Sequence, residues 1–278
     1  MTDYARPREL DEAIELRAAH PDWMLLAGGT DLMVNANHRP VPAGIIDIWR
    51  MPGSSAIAAT SSHVTIGAGA TWYEVETHPA ILATWAPLAA AAREIGALQI
   101  QARGTIGGNV GNSSPVGDSL PVLLALDAEL ELASVRGSRR VPYREFCTGY
   151  RKTVLAPDEL IATVTIPAPA KATRTTWRKV GTRRAQSISK VMGAAAITLD
   201  AGVVTQARVA LGAVADRPIR IAAVESAVVG LAPDKAAEAA RAALRTAIKP
   251  IDDVRSSASY RHEVAENLVA RFFSGILS

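Results

Sequence analysis

The sequence predicts an α+β fold, and three observations carry that reading. The N-terminal half alternates short apolar runs with stretches of helical period, and a proline-rich stretch, Pro167-Ala168-Pro169-Ala170-Lys171, follows it. Beyond that stretch, three strand-like runs are succeeded by three helical ones. Strands then helices, rather than strict alternation, is the α+β pattern. At 278 residues, 49% hydrophobic and 21% charged, the chain is globular and suits one large or two ordinary domains. A chain of this length buries roughly 75% of its unfolded surface and needs no disulfide staples.

The elements follow in order. A helix is expected over 7–19, with Glu9, Asp11 and Glu12 early, where the helix dipole favours carboxylates, and Leu10, Ile14 and Leu16 as the apolar face. His20-Pro21-Asp22 ends it. Residues 23–27 read as a buried strand running into Gly28-Gly29-Thr30-Asp31. A short helix over 31–37 and a strand over 45–48 complete a βαβ-like unit.

A second unit starts with a strand over 64–66 and the turn Gly67-Ala68-Gly69. Thr71 and Glu74 have capping-box spacing, and an alanine-rich helix over 87–95 closes at Gly96. Residues 104–117 hold five glycines and neither helical nor strand period. Asp118 is expected to cap a short apolar helix, followed by strands over 129–133 and 160–166. After the stiff, extended linker 167–171, strands are expected over 175–180, 194–199 and 203–211. Helices follow over 220–229, 234–247 and 259–277. In the last, Tyr260, Val264, Leu268, Phe272 and Ile276 recur every fourth residue, a stripe for core packing.

Composition excludes several function classes. The net charge is +3, with Lys and Arg scattered among acids, and the knots at 136–140 and 183–184 are too small for a nucleic-acid footprint. One cysteine, Cys147, cannot make an internal disulfide or hold an iron–sulfur cluster, which needs about four thiolates. It reads as a small buried residue. His262-Glu263 opens like a zinc-binding helix, but Glu266 stands where the second histidine belongs, so no metal site is expected. The N-terminus lacks the apolar stretch of a signal peptide. The longest uncharged apolar run, 79–92, falls short of the ~18 residues a membrane span needs. A soluble, cytoplasmic protein is expected.

Two glycine loops carry the functional signal. Gly28-Gly29-Thr30-Asp31 sits between a strand and a helix, where missing Cβ atoms let an anion approach free amides. A tight strand–helix turn without a ligand explains the same four residues equally well. The second loop, Arg103-Gly104-Thr105-Ile106-Gly107-Gly108-Asn109-Val110-Gly111-Asn112-Ser113-Ser114-Pro115-Val116-Gly117-Asp118, interleaves glycines with small hydrogen-bonding side chains. That composition suits a loop wrapped around a polar ligand, and two such loops suit a diphosphate. No P-loop, Rossmann fingerprint or Gly-x-Ser-x-Gly elbow is present.

Ala27-Gly28-Gly29-Thr30-Asp31-Leu32 and Gln99-Ile100-Gln101-Ala102-Arg103-Gly104-Thr105-Ile106-Gly107-Gly108-Asn109 together resemble the FAD-binding medium subunit of the molybdenum hydroxylases, the xanthine dehydrogenase and carbon monoxide dehydrogenase family. Ser114-Pro115-Val116-Gly117-Asp118, Asp158-Glu159-Leu160-Ile161, Lys179-Val180-Gly181-Thr182-Arg183-Arg184-Ala185 and Asp253-Val254-Arg255-Ser256-Ser257-Ala258-Ser259-Tyr260-Arg261 extend the likeness over the whole chain.

The resemblance implies a PCMH-type FAD-binding fold over 1–168, made of two α/β subdomains (about 1–55 and 56–168). A C-terminal α+β domain, an antiparallel sheet with helices, follows over 173–278. It implies that Leu25, Leu26, Ala27, Gly28, Gly29, Thr30, Asp31 and Leu32 wrap the FAD diphosphate, with Thr105, Gly108 and Asn109 closing from the other side. Asn112, Ser114 and Asp118 would bond linker hydroxyls, Ile95 and Ile161 would pack on the cofactor, and Lys179 would reach the flavin's pyrimidine edge, where a cation favours reduced anionic flavin.

No catalytic role is implied for Arg183 or Arg184, for which pairing with carboxylates is the alternative. Lys179 as an exposed strand lysine is the alternative to its flavin role. The implied activity is electron transfer. A large subunit with a molybdenum–pterin cofactor hydroxylates the substrate, [2Fe-2S] clusters on a small subunit relay electrons to FAD here, and NAD or another acceptor takes them. The implied assembly is a dimer of heterotrimers. Two other readings stand beside it, a flavin-less assembly or scaffold subunit and a stand-alone PCMH-type FAD oxidoreductase.

Overall fold

The computed structural model describes residues 2–38, 40–183 and 186–275. Its first unit is a three-stranded parallel sheet in which Gly44–Asp47 lies between Asp3–Ala5 and Met24–Leu26, with Tyr4 opposite Ile45 and Leu25 opposite Ile46. The outer strand Asp3–Ala5 was not expected from the sequence, because three residues are too few for a period. The first helix runs over Leu10–Ala19, three residues later than expected. It buries Ala13 and Ile14, while Leu10 is exposed and Leu16 half-buried. The segment after the first glycine loop is a 3-10 helix, Met33–His38.

A five-stranded antiparallel sheet forms the second unit, in the order Ile57–Ala59, His63–Gly67, Leu160–Pro167, Glu129–Ser134, Gly137–Pro142. The last of these is the arginine knot of the sequence. Being an edge strand, it turns its arginines outward onto acids: Arg139 donates twice to Glu159 at 2.6 and 2.8 Å, and Arg136 pairs with Asp158. Charge on an edge also discourages pairing with other chains. Helices Trp72–Thr77, Pro79–Thr84, Ala86–Glu94 and Leu120–Ala125 pack against the sheet around Trp72, Trp85, Leu88, Leu123 and Phe146, all buried. The Thr71 capping box forms with both halves: the Glu74 N–H donates to Thr71 Oγ1, and Glu74 Oε2 accepts from the Thr71 N–H.

The third unit is a four-stranded antiparallel sheet, Thr173–Val180, Val191–Asp200, Val203–Gly212 and Ile219–Arg220, followed by helices Ala222–Val228, Pro233–Leu244 and Ala258–Ser274. The alternation of its second strand divides the molecule. Ala194 and Ala196 join the core of the five-stranded sheet and its helices, while Ala195 and Ile197 join the core under the C-terminal helices. A sheet buried on both faces in this way presents the near-continuous small apolar run seen at 191–197.

The stripe on the final helix is half inside that core: Leu268 and Phe272 are buried, Val264 is half-buried, and Tyr260 is exposed beneath the Lys190 ammonium. Ile276 lies outside the described residues, as do Arg184 and Ala185. The segment after Pro167 is tied down: the Trp85 indole donates to the Pro167 carbonyl at 2.9 Å, and the Ala168 N–H to that of Ser62 at 2.8 Å.

Candidate functional site

The two glycine loops face each other across a cleft of about 880 Å³, large enough for a cofactor-sized molecule. Backbone contact holds them together. A Cβ on Gly28 would stand 1.8 Å from the Arg103 carbonyl oxygen, so the first loop touches the main chain of the second and only glycine fits. Arg103 reinforces the join, its guanidinium stacking 4.1 Å from the centre of the Trp49 ring. Gly29 has φ +75°, the left-handed conformation that glycine adopts without strain.

Below that contact, the second loop is more regular than its sequence suggests. Residues 104–117 were expected to lack helical structure, yet Ile106–Asn112 is a helix with Thr105 as its N-cap. Ile106 and Val110, four apart, are its buried face. The glycines hide this period because they serve close approach rather than packing: a Cβ on Gly107 would lie 2.6 Å from that of Ala68. The helix also satisfies its own first amides, with Gly108 N–H donating to Thr105 Oγ1 at 3.0 Å and Ile106 and Gly107 donating to Ala70 and Ala68.

The first loop is the reverse case. The main-chain amides of Ala27, Gly28, Gly29, Thr30 and Leu32 have no acceptor among the described residues, and all five residues line the cleft. Orphaned donors beside a cavity are costly unless water or a ligand takes them. Successive amides of this kind make an anion-binding concavity. Facing them, Asn109 accepts a 2.8 Å bond from the Ser119 hydroxyl at Oδ1, which turns its carboxamide NH₂ to donate elsewhere. Across the opening, Arg151 bonds Asn112 Oδ1 at 2.8 Å and approaches Asp31 Oδ2 at 3.4 Å, so one side chain clasps both loops.

The other expected site residues sort clearly. Leu25, Asp31, Ile95, Thr105, Gly108, Asn109, Asn112, Asp118 and Ile161 line the cleft; Leu26, Ser114 and Lys179 are not among the lining residues. Leu26 lies on the strand with its side chain near Gly29, and Ser114 Oγ accepts its bond from the Val116 N–H. Lys179 is neither exposed nor directed into the cleft. It is buried, donating to Asp118 Oδ2 at 2.5 Å and to the Glu94 carbonyl at 3.1 Å.

Asp118 correspondingly does not cap the helix Leu120–Ala125, whose N-cap is Ser119, with no side-chain capping bond. Its second oxygen accepts from Ser189 at 2.5 Å. Burial pushes the Asp118 carboxyl above the usual carboxylate range, while Lys179 and the two hydrogen bonds pull against it.

Among the cleft-lining residues that sequence reasoning missed are Arg17 and Ile48 on the first unit, Gly96 with Ile100, and the segment Gln186, Ser187 and Ile188. Arg17 lies three residues after buried Ile14 on the same helix face, a spacing it shares with many solvated arginines. The others are brought in by tertiary folding.

Cys147 is half-buried, not fully buried as expected, and lies within 2.8 Å of Ser113 Oγ and 3.4 Å of the Tyr143 hydroxyl. The His262 ring is occupied by Glu266 and by the Arg245 carbonyl. Among the described residues no cluster of His, Cys, Asp or Glu is arranged to hold a metal, and no helix is long and apolar enough to cross a membrane. Arg183 bonds the Gln186 carbonyl.

Comparison with known proteins gives the following. Residues 1–169 match the family described as "FAD binding domain in molybdopterin dehydrogenase", and residues 177–276 match "CO dehydrogenase flavoprotein C-terminal domain". The nicotinate dehydrogenase FAD-subunit of Eubacterium barkeri is 32% identical, covering 99% of this chain and 96% of that one. The carbon monoxide dehydrogenase medium chain of Hydrogenophaga pseudoflava is 32% identical, covering 97% and 94%. A solved structure of carbon monoxide dehydrogenase from Hydrogenophaga pseudoflava superimposes with a TM-score of 0.92 at 31% identity, covering 97% of this chain and 95% of that one.

Proposed function

The chain belongs to the family of FAD-binding medium subunits of the molybdenum hydroxylases, and from that premise we propose that its cleft holds FAD non-covalently and serves electron transfer within a larger hydroxylase complex. The observation that carries this reading is the run of unpaired amides at Ala27, Gly28, Gly29, Thr30 and Leu32 along one wall of a cofactor-sized cleft. Those amides would hold the diphosphate. The Asn109 carboxamide, oriented by Ser119, would donate from the facing wall. Ile95 and Ile161 would supply the apolar surfaces for the ring system. No histidine or cysteine lines the cleft among the described residues, which suits a cofactor held without a covalent bond.

When bound, FAD would supply the redox chemistry, taking electrons from [2Fe-2S] clusters of a small partner subunit and giving them to NAD or another acceptor. Substrate hydroxylation would belong to a large partner subunit with a molybdenum–pterin cofactor. The assembly would be a dimer of such three-subunit units, in a cytoplasmic setting that suits a chain with one free thiol. Within this division of labour the chain's own residues bind, orient and shield. Lys179 acts one layer behind the cleft, fixing Asp118 at its edge through a buried ion pair.

Reconstitution tests the reading. The chain purified alone and mixed with FAD is expected to show an oxidised-flavin spectrum, to release all of its flavin on acid precipitation, and to hydroxylate nothing. A protein that takes up no FAD would leave a scaffold role, and flavin retained after acid would point to the covalent oxidoreductases.

A further inference from the structure

The charges around the cleft do not balance side chain for side chain. Three charged residues line it among those described: Arg17, Asp31 and Asp118. Asp118 is answered by Lys179 at 2.5 Å, and Asp31 has Arg151 at 3.4 Å. Arg17 has no carboxylate within 4 Å among the described residues. It is half-buried, and its Nε atom is shielded from water without an acceptor. Burial draws its pKa down, and the charge of nearby Asp22, too far off to form an ion pair, offsets this only in part.

The position of Arg17 is set firmly. Its Nη1 donates to the Trp23 carbonyl at 2.8 Å, and Trp23 is itself held by stacking on His20 at 3.9 Å and by contact with Gly44, where a Cβ would collide with the indole. Ile14, one helical turn before Arg17, is locked into the core with Leu160 and Leu25. The side chain is thus a pre-placed cation lining the same cleft as the unpaired amides, and ordering it costs little at binding.

Resting on the FAD reading above, we propose that Arg17 is the side-chain cation that pairs with the diphosphate, making the cleft selective for a dinucleotide over flavins without a second phosphate. Main-chain amides grip any phosphate. A fixed guanidinium adds a charge-assisted bond, for which geometry and charge must both match. The Arg17 contact therefore belongs to the diphosphate, which ADP carries and both adenosine and riboflavin lack.

The test compares wild-type chain with Arg17→Met, measuring dissociation constants for FAD by flavin fluorescence and for ADP, adenosine and riboflavin by calorimetry. The substitution is expected to weaken FAD and ADP by about 10- to 100-fold, the range of a lost charged hydrogen bond, and to leave adenosine and riboflavin unchanged. Wild-type-like affinity of the variant for FAD and ADP overturns the assignment. An equal loss for adenosine also overturns it, showing a contact with the base instead. Should Arg17→Met fail to fold, Arg17→Gln keeps a donor for the Trp23 carbonyl and carries the same expectation. Failure of the wild-type chain to bind FAD is a separate outcome, which sinks the cofactor reading itself.

Discussion

Gly28 shows how much one missing methyl group can decide. The Arg103 carbonyl oxygen occupies the space a side chain would take, so Gly28→Ala must push the two loops apart. The expected cost is on the order of 2–3 kcal/mol of stability, as for overpacked cores, with FAD affinity falling at least tenfold because the amide run shifts. Thermal melts with and without FAD check this, and an alanine variant with normal melting and normal FAD uptake would refute the contact. Gly28 was legible in the sequence as a glycine needed at a strand end. Its partner was not, because Arg103 is seventy-five residues away. Arg17 illustrates the opposite limit: nothing in a lone sequence separates it from the many arginines that are merely solvated.

At the scale of elements, the long C-terminal helix Ala258–Ser274 is pinned at its start by charge. Arg261, buried, donates to the Ala213 carbonyl at 3.0 Å and to Asp253 Oδ1 at 2.7 Å. Burial alone would raise the Asp253 pKa, but the amides of Arg255 and Ser256 and the guanidinium groups of Arg261 and Arg255 outweigh it and bring the carboxyl to about 2. An unfolded aspartate titrates near ~3.9. Between those values the unfolded chain binds the extra proton, so stability is fully present above about pH 4 and is lost as pH falls towards 2. Urea midpoints for wild type and Asp253→Asn should therefore converge as pH drops through that window. Parallel curves would show that the pairing contributes nothing. The helix and its stripe were readable from their period, whereas Gly137–Pro142 and Ile106–Asn112 were not. In the first, a run of arginines hid an edge strand; in the second, glycines chosen for close approach hid a helix.

At the scale of the molecule, Lys179 and Asp118 join the C-terminal sheet to the cleft. Their side chains are 3% and 9% exposed, so breaking the pair strands a buried charge. Lys179→Met is expected to cost about 3–5 kcal/mol at neutral pH, and Lys179→Met with Asp118→Asn markedly less, since removing both charges avoids the uncompensated one. Denaturant unfolding of the two variants decides it; a double variant as unstable as the single one would show that the charge is not the issue. Trp177 adds a 2.9 Å bond from its indole to the Asp118 carbonyl, and Arg208 one of the same length to that of Ala125.

The longer strands and helices and the place of the glycine loops were determined by the sequence itself, because hydrophobic period, capping pairs and turn residues act over a few positions. Only the tertiary structure decided which loop kept its amides free, which aspartate met which lysine, and which arginine reached the cleft without an ion-pair partner. Those choices depend on groups dozens of residues apart being brought within hydrogen-bond distance, where burial makes each unpaired charge or donor expensive.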